Sequence, residues 1–537
     1  MKSTYFLKQY LILFALGLLS FSVSAQFFTP DPAKNWQNES FDHDTVYGTE
    51  SDKALELLKG RTPTPVVVAV IDGGVYVSHP ALKPTIWVNP KEIPGNKIDD
   101  DHNGYVDDVN GWDFIGGKDS AVKQDNLEVT RLYRDLKEKF DDLSPAQISK
   151  EDKADYAKYQ KVKKEFESKY NEYMTQYTTL KGFADTMAML KKAIGKDFNQ
   201  DDVTAYNPSD SAMSKARRKA RRNFNRFSAF VKGATGDSLV KLLGGALDYY
   251  NNLLKYNYNV DFNPRYIVND NYGDVTQRYY GNNNVSYGPT AEHGTHVSGI
   301  IAGVRTNKPG AQEGIADDAK IMAVRVVPDG DERDKDVANG IRYAVDNGAR
   351  VINMSFGKAF SCNKQTVDEA VKYAEAHDVL LVHAAGNDHN DNDSTDNFPN
   401  RTFEGTHKQA QNWIEVGASD TKGKPASFSN YGKRSVDLFA PGVQIYSSVP
   451  DSAYGYLSGT SMAAPCVTGV AAIIREYFPK LTAKQVKKIL MESVTPITFK
   501  VSMPGHPAKI VTYSDLCISG GIVNAYKAVQ LAMKEAK

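Results

Sequence analysis

A continuous run of mostly β-branched residues, Pro65 to Ile71, is the feature that most constrains the fold of this chain. Such a run, without alternating polar residues, is typical of a strand buried on both faces of a parallel sheet. Similar runs recur downstream with helical periodicities between them, as strands at 319–327, 349–355, 379–385 and 413–418 and helices at 334–347 and 365–377. We therefore predict an α/β fold with right-handed crossovers and a mostly parallel central sheet.

Asp72 lies directly after the first of these strands and is followed by Gly73 and Gly74. Open α/β sheets place their ligand and active sites beyond the carboxyl ends of their strands, so this carboxylate is a candidate functional group. The structural alternative is an Asx turn, in which the side chain bonds the backbone ahead of the glycines. Both interpretations fit this position.

Ser461 lies in the segment 459–465 (Gly-Thr-Ser-Met-Ala-Ala-Pro), just before an apolar run with helical spacing that stops at Pro479. A serine at the start of a buried helix is commonly its N-cap. It can also act as a nucleophile, because the helix N-terminus favours negative charge beside it and a neighbouring base can take its proton. The two roles are compatible at one helix start.

His293 opens the segment 293–299 (His-Gly-Thr-His-Val-Ser-Gly), which predicts a tightly packed helix of small residues. His296 is three positions on and could share a helix face with it. No HExxH pattern or cysteine ligand accompanies the two histidines, which argues against a metal pair. An isolated histidine would otherwise be an ordinary core or surface residue.

A carboxylate, an imidazole and a hydroxyl at element ends meet the needs of acyl transfer by serine. Serine is inert until a base removes its proton, and the base needs a carboxylate that fixes its tautomer and stabilises the imidazolium. Asp72, His293 and Ser461 supply these groups in that chain order. Their motifs, together with the segment 384–387 (Ala-Ala-Gly-Asn), resemble the signatures of the subtilisin-like serine peptidases, or subtilases.

This resemblance spans residues 64–116 and 262–535 and implies a subtilisin-like three-layer α/β/α fold and a secreted serine endopeptidase. It implies that Ser461 is the nucleophile, His293 the general base and acid, and Asp72 the carboxylate that orients it. Asn387 would be an oxyanion donor, His296 would be structural, and no catalytic cofactor is expected. Two alternatives stay open: esterase or ligase chemistry on the same acyl-enzyme, and a catalytically retired binding scaffold. The presence of all four groups favours the enzyme.

Substrate-binding residues follow from the same resemblance. The segments Ser355-Phe356-Gly357 and Ala385-Gly386 match the strands that pair with substrate backbone and wall the first specificity pocket. We therefore expect protein or peptide partners that bind by strand addition.

An acidic segment at 96–108 has the spacing of a calcium loop. Hard oxygen ligands alternate along it, and Gly104 falls where such a loop turns sharply. The twelfth position is Asn110 rather than glutamate, and no EF-hand helix precedes the loop. The alternative is a solvated acidic turn. The candidate ligands of a structural Ca²⁺ are Asp99, Asp101, Asn103, Tyr105 through its carbonyl, Asp107 and Asp108.

A long insertion separates the Asp and His motifs, which lie 221 residues apart instead of the family's usual few tens. Residues 117–258 are rich in Lys, Glu, Asp and Tyr and carry helical spacing, so we predict a mainly helical insertion in a peptidase domain of residues 64–116 and 259–537. Its basic run at 215–222 is a solvated helix face, a patch for an acidic partner or a processing site. We hypothesise that the insertion limits or selects substrates.

The first 25 residues have the pattern of a signal peptide: Lys2 and Lys8, an apolar run at 11–19, and Val-Ser-Ala at 23–25. The apolar run is too short for a good membrane span. We therefore predict export to the periplasm or the exterior, without an integral membrane anchor after cleavage. Residues 26–63 would form an N-terminal arm or a short pro-segment.

The composition gives no indication of a nucleic acid or membrane partner, because 65 basic residues balance 65 acidic ones. Three cysteines exclude a disulfide scaffold. Cys466 falls in the apolar helix and is predicted to be buried, whereas Cys362 and Cys517 could pair. The oligomeric state is not indicated.

Overall fold

The computed structural model describes residues 32–227, 233–288, 290–306, 308, 310–316 and 318–536. The predicted signal peptide, residues 1–25, and the first residues of the arm lie outside this part of the chain. The strands are β1 (Val67–Asp72), β2 (Gly111–Asp113), β3 (Lys320–Arg325), β4 (Ala349–Met354), β5 (Leu380–Ala384), β6 (Trp413–Ser419), β7 (Leu438–Pro441), β8 (Ile445–Val449), β9 (Ala453–Leu457), β10 (Thr495–Pro496), β11 (Val501–Met503), β12 (His506–Val511) and β13 (Gly521–Ile522). The α-helices are α1 (Phe41–Asp44), α2 (Ser51–Leu58), α3 (Glu128–Phe140), α4 (Lys153–Ile194), α5 (Gln200–Ala205), α6 (Ser211–Phe227), α7 (Gly236–Asn252), α8 (Ala291–Ala302), α9 (Asp334–Asp346), α10 (Lys364–Ala376), α11 (Thr460–Tyr477), α12 (Ala483–Glu492) and α13 (Ala525–Glu535).

The central sheet has nine strands in the order β10-β13-β7-β6-β5-β4-β1-β3-β2. Every neighbouring pair from β13 to β2 is parallel, and β10 pairs antiparallel with β13 at one edge. The hairpins β8–β9 and β11–β12 lie outside this sheet. The prediction of a mostly parallel α/β sheet is confirmed.

The two faces of the sheet pack against separate helical layers. Val68 and Val70 of β1 belong to a core that includes residues of α8, α11, α12 and α13. Ala69 and Ile71 point the other way, into a core formed with α9 and α10. Full burial of one of these Val or Ile side chains contributes about 1.5–3 kcal/mol. This alternation produces the three layers expected of a subtilisin-like fold.

Helix α11 is buried along almost its whole length, because its small residues let it lie close to the sheet. A Cβ on Gly469 would lie 2.7 Å from Ile315, so a larger residue would not fit. Cys466 is fully buried, as predicted, and burial raises the pKa of its thiol. Cys362 and Cys517 do not pair, since Cys362 is exposed and Cys517 is buried as a free thiol.

The described part of the arm, residues 32–63, is integrated into the sheet-containing core. Trp36 is fully buried, and its indole Nε1–H donates to the Gln444 carbonyl at 3.3 Å. The Thr49 carbonyl accepts from the Ala525 N–H at 2.7 Å, where α2 packs against α13. These contacts are those of a structural arm.

Contacts divide the chain into two compact units. The larger comprises Asp31–Glu128 and Asn263–Lys537, and the smaller comprises Val129–Phe262. The smaller unit is helical and has its own core, in which Phe183, Met187 and Leu190 of α4 pack with residues of α6 and α7. Within the described residues, no helix has both the length and the apolar character needed to cross a membrane.

Candidate active site

Asp72 and His293 form a close pair at the carboxyl end of β1. His293 lies in the first turn of α8, and its Nδ1 is 2.8 and 3.0 Å from the two Asp72 oxygens. The Gly73 N–H also donates to Asp72 Oδ1, at 2.7 Å, so the carboxylate makes a local turn contact as well. Asp72 is buried, whereas the His293 side chain is 40% exposed.

The charge of Asp72 sets the basicity of this histidine. Burial alone would lower the pKa of His293, but attraction to the Asp72 carboxylate and its hydrogen bond outweigh burial and raise the pKa above 6.5. With Nδ1–H donating to the carboxylate, Nε2 is the nitrogen left to accept a proton. The pair has the chemistry of an oriented general base.

Gly294 explains how the helix comes so close to the strand. A Cβ at this position would lie 2.2 Å from the Gly74 carbonyl oxygen and 3.2 Å from Asp72 Cβ. A glycine therefore has to follow the histidine if Nδ1 is to reach the carboxylate.

Ser461 is the second residue of α11 and is not its N-cap, which corrects the capping interpretation. The N-cap is Gly459, and the first-turn N–H of Thr460 donates at 2.9 Å to Oδ1 of Asn387. The half-buried Ser461 hydroxyl donates instead to the Ser355 carbonyl at 3.0 Å. Within the described residues it makes no hydrogen bond to His293, so it must rotate about χ1 before His293 could take its proton.

Asn387 is held by its amide oxygen, which also accepts from the Thr460 hydroxyl at 3.0 Å. Its Nδ2 has no hydrogen-bond partner in the described part of the chain. The Ser461 N–H lies in the first turn of α11, where backbone donors lack intrahelical acceptors. The start of α11 thus brings together two donors and the positive end of a helix dipole.

His296 is buried and lies away from the Asp72 pair. Its Nε2 is 3.0 Å from the Ile445 carbonyl and 3.2 Å from the Gly455 carbonyl, at the two strands of the β8–β9 hairpin. Burial lowers its pKa to about 3, so the ring is neutral and Nε2–H donates. These contacts fit the structural role implied for His296.

The predicted substrate-binding segments follow β4 and β5. Ser355 is tied to α11, since its hydroxyl donates to the Ser461 carbonyl at 3.0 Å. Phe356 and Gly357 make no backbone–backbone hydrogen bond within the described residues and so present an open edge. Ala385 is buried, and Gly386 is partly exposed with a φ of +105° that favours glycine.

Asn397 is a residue of this region that sequence reasoning missed. Its Nδ2 donates to the Ala385 carbonyl at 3.0 Å, and its Oδ1 lies 2.5 Å from where a Cβ of Gly357 would be. Asn397 therefore links the two predicted substrate segments. Asn397 lies in a polar loop 10 residues beyond Asn387, and no sequence pattern there indicates a functional role.

The predicted calcium loop is only partly brought together. Ligand oxygens of Asp99 and Asp101 lie within 4.8 Å of one another and of Glu92, which the sequence pattern had not included. Asp107 accepts from the Gly95 N–H at 2.9 Å and is not part of this cluster. Asp108 accepts from Tyr343 at 2.6 Å, and burial raises its pKa to about 6.

The remaining two candidate ligands have structural contacts. The Asn103 amide donates to Asp108 Oδ2 at 3.2 Å, and its Oδ1 accepts from the Tyr105 N–H at 2.8 Å. The Tyr105 ring packs against Trp112 and Tyr343. Asp99, Asp101 and Glu92 are therefore the carboxylates that could hold a cation.

In a comparison with known protein families, residues 64–508 of this chain match the subtilase family. A thermophilic serine proteinase of Bacillus sp. (strain AK1) is 43% identical over 183 residues, which cover 34% of this chain and 42% of that protein. Thermitase of Thermoactinomyces vulgaris is 38% identical over 239 residues, covering 44% of this chain and 75% of thermitase. Subtilisin BL of Lederbergia lenta is 36% identical over 206 residues, covering 38% and 71%. The chain therefore belongs to the subtilase family, as its motifs predicted, and is a hydrolase of the subtilisin-like serine peptidase class.

Proposed function

We propose that this protein is an exported serine endopeptidase that hydrolyses peptide bonds through an acyl-enzyme on Ser461. The observation that carries this proposal is the Asp72–His293 pair, with Nδ1 2.8 and 3.0 Å from the carboxylate, at the strand end. The raised pKa of His293 and the free donors at the start of α11 support it.

Acylation begins when the Ser461 hydroxyl rotates away from the Ser355 carbonyl. His293 Nε2 takes the proton as Oγ attacks the peptide carbonyl carbon, and Asp72 stabilises the imidazolium that forms. The carbonyl oxygen becomes an oxyanion that accepts from Asn387 Nδ2 and the Ser461 N–H. Removal of one such donor typically lowers kcat by about 10²–10³-fold.

The C–N bond then breaks as His293 returns its proton to the leaving amine, which departs with the new N-terminus. A water molecule enters, gives a proton to His293 and attacks the ester carbonyl. Collapse of this second intermediate releases the carboxylic acid and restores the Ser461 hydroxyl.

Steady-state hydrolysis of an unstructured protein tests the proposal. The Ser461→Ala variant should lose activity by at least about 10³-fold, because no nucleophile remains. A Ser355→Ala variant is the matched control, since it removes a neighbouring hydroxyl, which accepts from the Asn353 amide and donates to the Ser461 carbonyl, but keeps the Ser461 hydroxyl and the backbone of residue 355. Equal activity of Ser461→Ala and wild type would contradict the mechanism. Absence of hydrolysis by the wild type itself would favour the alternative, a catalytically retired scaffold that acts through the insertion.

Export is the second part of the proposal. It is supported by the positive, apolar and small-residue pattern of residues 1–25. N-terminal sequencing of the protein recovered from cell fractions should find a start near Gln26 in the periplasm or medium. Recovery of an intact Met1 terminus in the cytoplasm would contradict it.

A structural Ca²⁺ at Glu92, Asp99 and Asp101 is the third part. Glu92 is 6% exposed, and its Oε2 has no hydrogen-bond partner among the described residues. Burial raises the pKa of Glu92, although N–H groups of Asp101 and Asp100 oppose the shift. A buried carboxylate oxygen without a partner is unfavourable, and oxygen ligands suit Ca²⁺.

Calorimetric titration of the calcium-stripped protein tests this site. Ca²⁺ should bind and raise the melting temperature, and Glu92→Gln should weaken binding by about 10-fold or more because a ligand charge is lost. The exposed Glu56→Gln variant is the control. Identical calcium binding by Glu92→Gln and wild type would exclude the site.

A further inference from the structure

Two chain segments flank a gap beyond the end of β1. In the sheet β1 lies between β3 and β4, and it stops at Asp72. Beyond that point each neighbouring strand is followed by a chain segment: β4 by residues 355–357, which we call the extension of β4, and β3 by residues 326–333, the extension of β3. The gap between these two extensions therefore starts at the Asp72–His293 pair.

The extension of β3 has one covered edge and one open edge. The Asp329 and Asp331 N–H groups donate to the carbonyls of Lys123 and Asn126, at 2.7 and 3.3 Å. Backbone groups of successive strand residues point to opposite sides. Gly330 between them has no backbone partner among the described residues, so its N–H and C=O face the other way. This open edge and that of Phe356 and Gly357 are two edges onto which a peptide strand could add.

Lys358 joins the two extensions with its side chain. It follows Gly357, and its buried ammonium donates to the Glu332 carbonyl at 2.7 Å. Its charge is balanced by Asp334, at 2.7 Å, and by Glu128, at 3.0 Å. The side chains of all three charged residues are at most 4% exposed, so the ammonium is held in one place.

The reach of this side chain matches the width of one strand. An extended lysine spans about 6 Å from Cα to Nζ, and the hydrogen bond to Glu332 adds 2.7 Å. A strand inserted between two others needs about 10 Å between its neighbours. A shorter or uncharged side chain would not hold the extensions at this separation.

We infer that Lys358 is a positioning residue that fixes the width of the peptide-binding gap, so that one extended substrate strand fits between Gly330 and Gly357. This inference rests on the proposed peptidase function. Lys358 lies three residues beyond Ser355, about 10 Å along an extended chain. Its effect should therefore reach only substrates that extend several residues from the scissile bond on the acyl side.

The test compares kcat/KM for two substrates: a peptide anilide with five residues on the acyl side, and an ester of one acylated amino acid. Lys358→Met should lower the anilide-to-ester ratio of kcat/KM by about 10-fold or more, because only the long substrate spans the gap. Lys358→Arg should keep the ratio within about threefold of wild type. The matched control is Lys335→Met, which removes an equally buried lysine whose ammonium contacts Asp270 at 2.6 Å and the Asn271 carbonyl at 2.7 Å, residues that belong to neither extension.

An unchanged ratio in Lys358→Met, or an equal fall of the ratio in Lys335→Met, would overturn the inference. If Lys358→Met does not fold, the same ratio of kcat/KM measured for the Glu128→Gln variant tests the inference. This variant should lower the ratio by about threefold because it loosens the ammonium, and an unchanged ratio would again overturn the inference. A wild-type protein that hydrolyses neither substrate and resists a fluorophosphonate would instead refute the proposed function itself.

Discussion

Replacement of Gly294 by alanine should separate His293 from Asp72 and thereby reduce activity. The new Cβ would lie 2.2 Å from the Gly74 carbonyl oxygen, whereas ordinary contact begins at 3.4 Å. Helix and strand must therefore move apart by about 1 Å in a close-packed interior. The 2.8 Å distance from His293 Nδ1 to Asp72 would then approach about 4 Å, outside hydrogen-bonding range. We expect kcat/KM to fall by about 10²-fold or more.

The assay is peptide hydrolysis at a temperature at which circular dichroism shows each variant folded. Gly244→Ala is a matched control, because Gly244 is also a helical glycine and a Cβ there would meet no atom within 4 Å. Gly244→Ala should therefore keep kcat/KM within about threefold of wild type. Retention of wild-type kcat/KM by Gly294→Ala would refute the argument that this glycine sets the Asp72–His293 distance.

Three further predictions follow from the pKa, the arm and the insertion. His293 must be neutral to act as the base, and its pKa is raised, so kcat/KM should rise with pH through a midpoint above the ordinary histidine pKa of about 6.5. A midpoint below the ordinary histidine pKa would contradict this. Trp36→Ala should lower the free energy of unfolding by about 3–5 kcal/mol in denaturant titration, and a change below 1 kcal/mol would mean that the arm is dispensable. Deletion of residues 129–262 with a short linker should leave a folded peptidase, because Arg333 contacts both Asp125 (2.7 Å) and Asn263 (3.4 Å) at the two ends. If the insertion limits substrates, the deletion should speed hydrolysis of a folded protein but not of a short peptide, and unchanged rates on both would reject that role.

The fold could be predicted because its signals are local. The run at 65–71 and the later apolar runs carry the burial pattern of parallel strands in their own residues. The chemical roles of Asp72 and His293 could also be predicted from the sequence, since each residue lies in a motif at the end of a secondary-structure element. Their contact across 221 residues is a property of the folded chain alone.

The contacts of Ser461 could not be read from its sequence neighbourhood. Its position before an apolar helix suggested a cap, yet Gly459 is the N-cap and the hydroxyl donates to Ser355, 106 residues away. Glu92 and Asn397 were missed for the same reason. Each lies in a loop, and its contacts depend on which segments the tertiary fold brings together rather than on spacing along the sequence.

The most direct test of the central claim is to map the site of fluorophosphonate attachment by mass spectrometry. A single adduct on Ser461 is expected in wild type, because only an activated serine attacks the reagent. Labelling should be slowed by at least about 10²-fold in His293→Ala, which keeps the hydroxyl but removes its base. Absence of an adduct on Ser461, or equal labelling of wild type and His293→Ala, would contradict the assignment of Ser461 as a base-activated nucleophile.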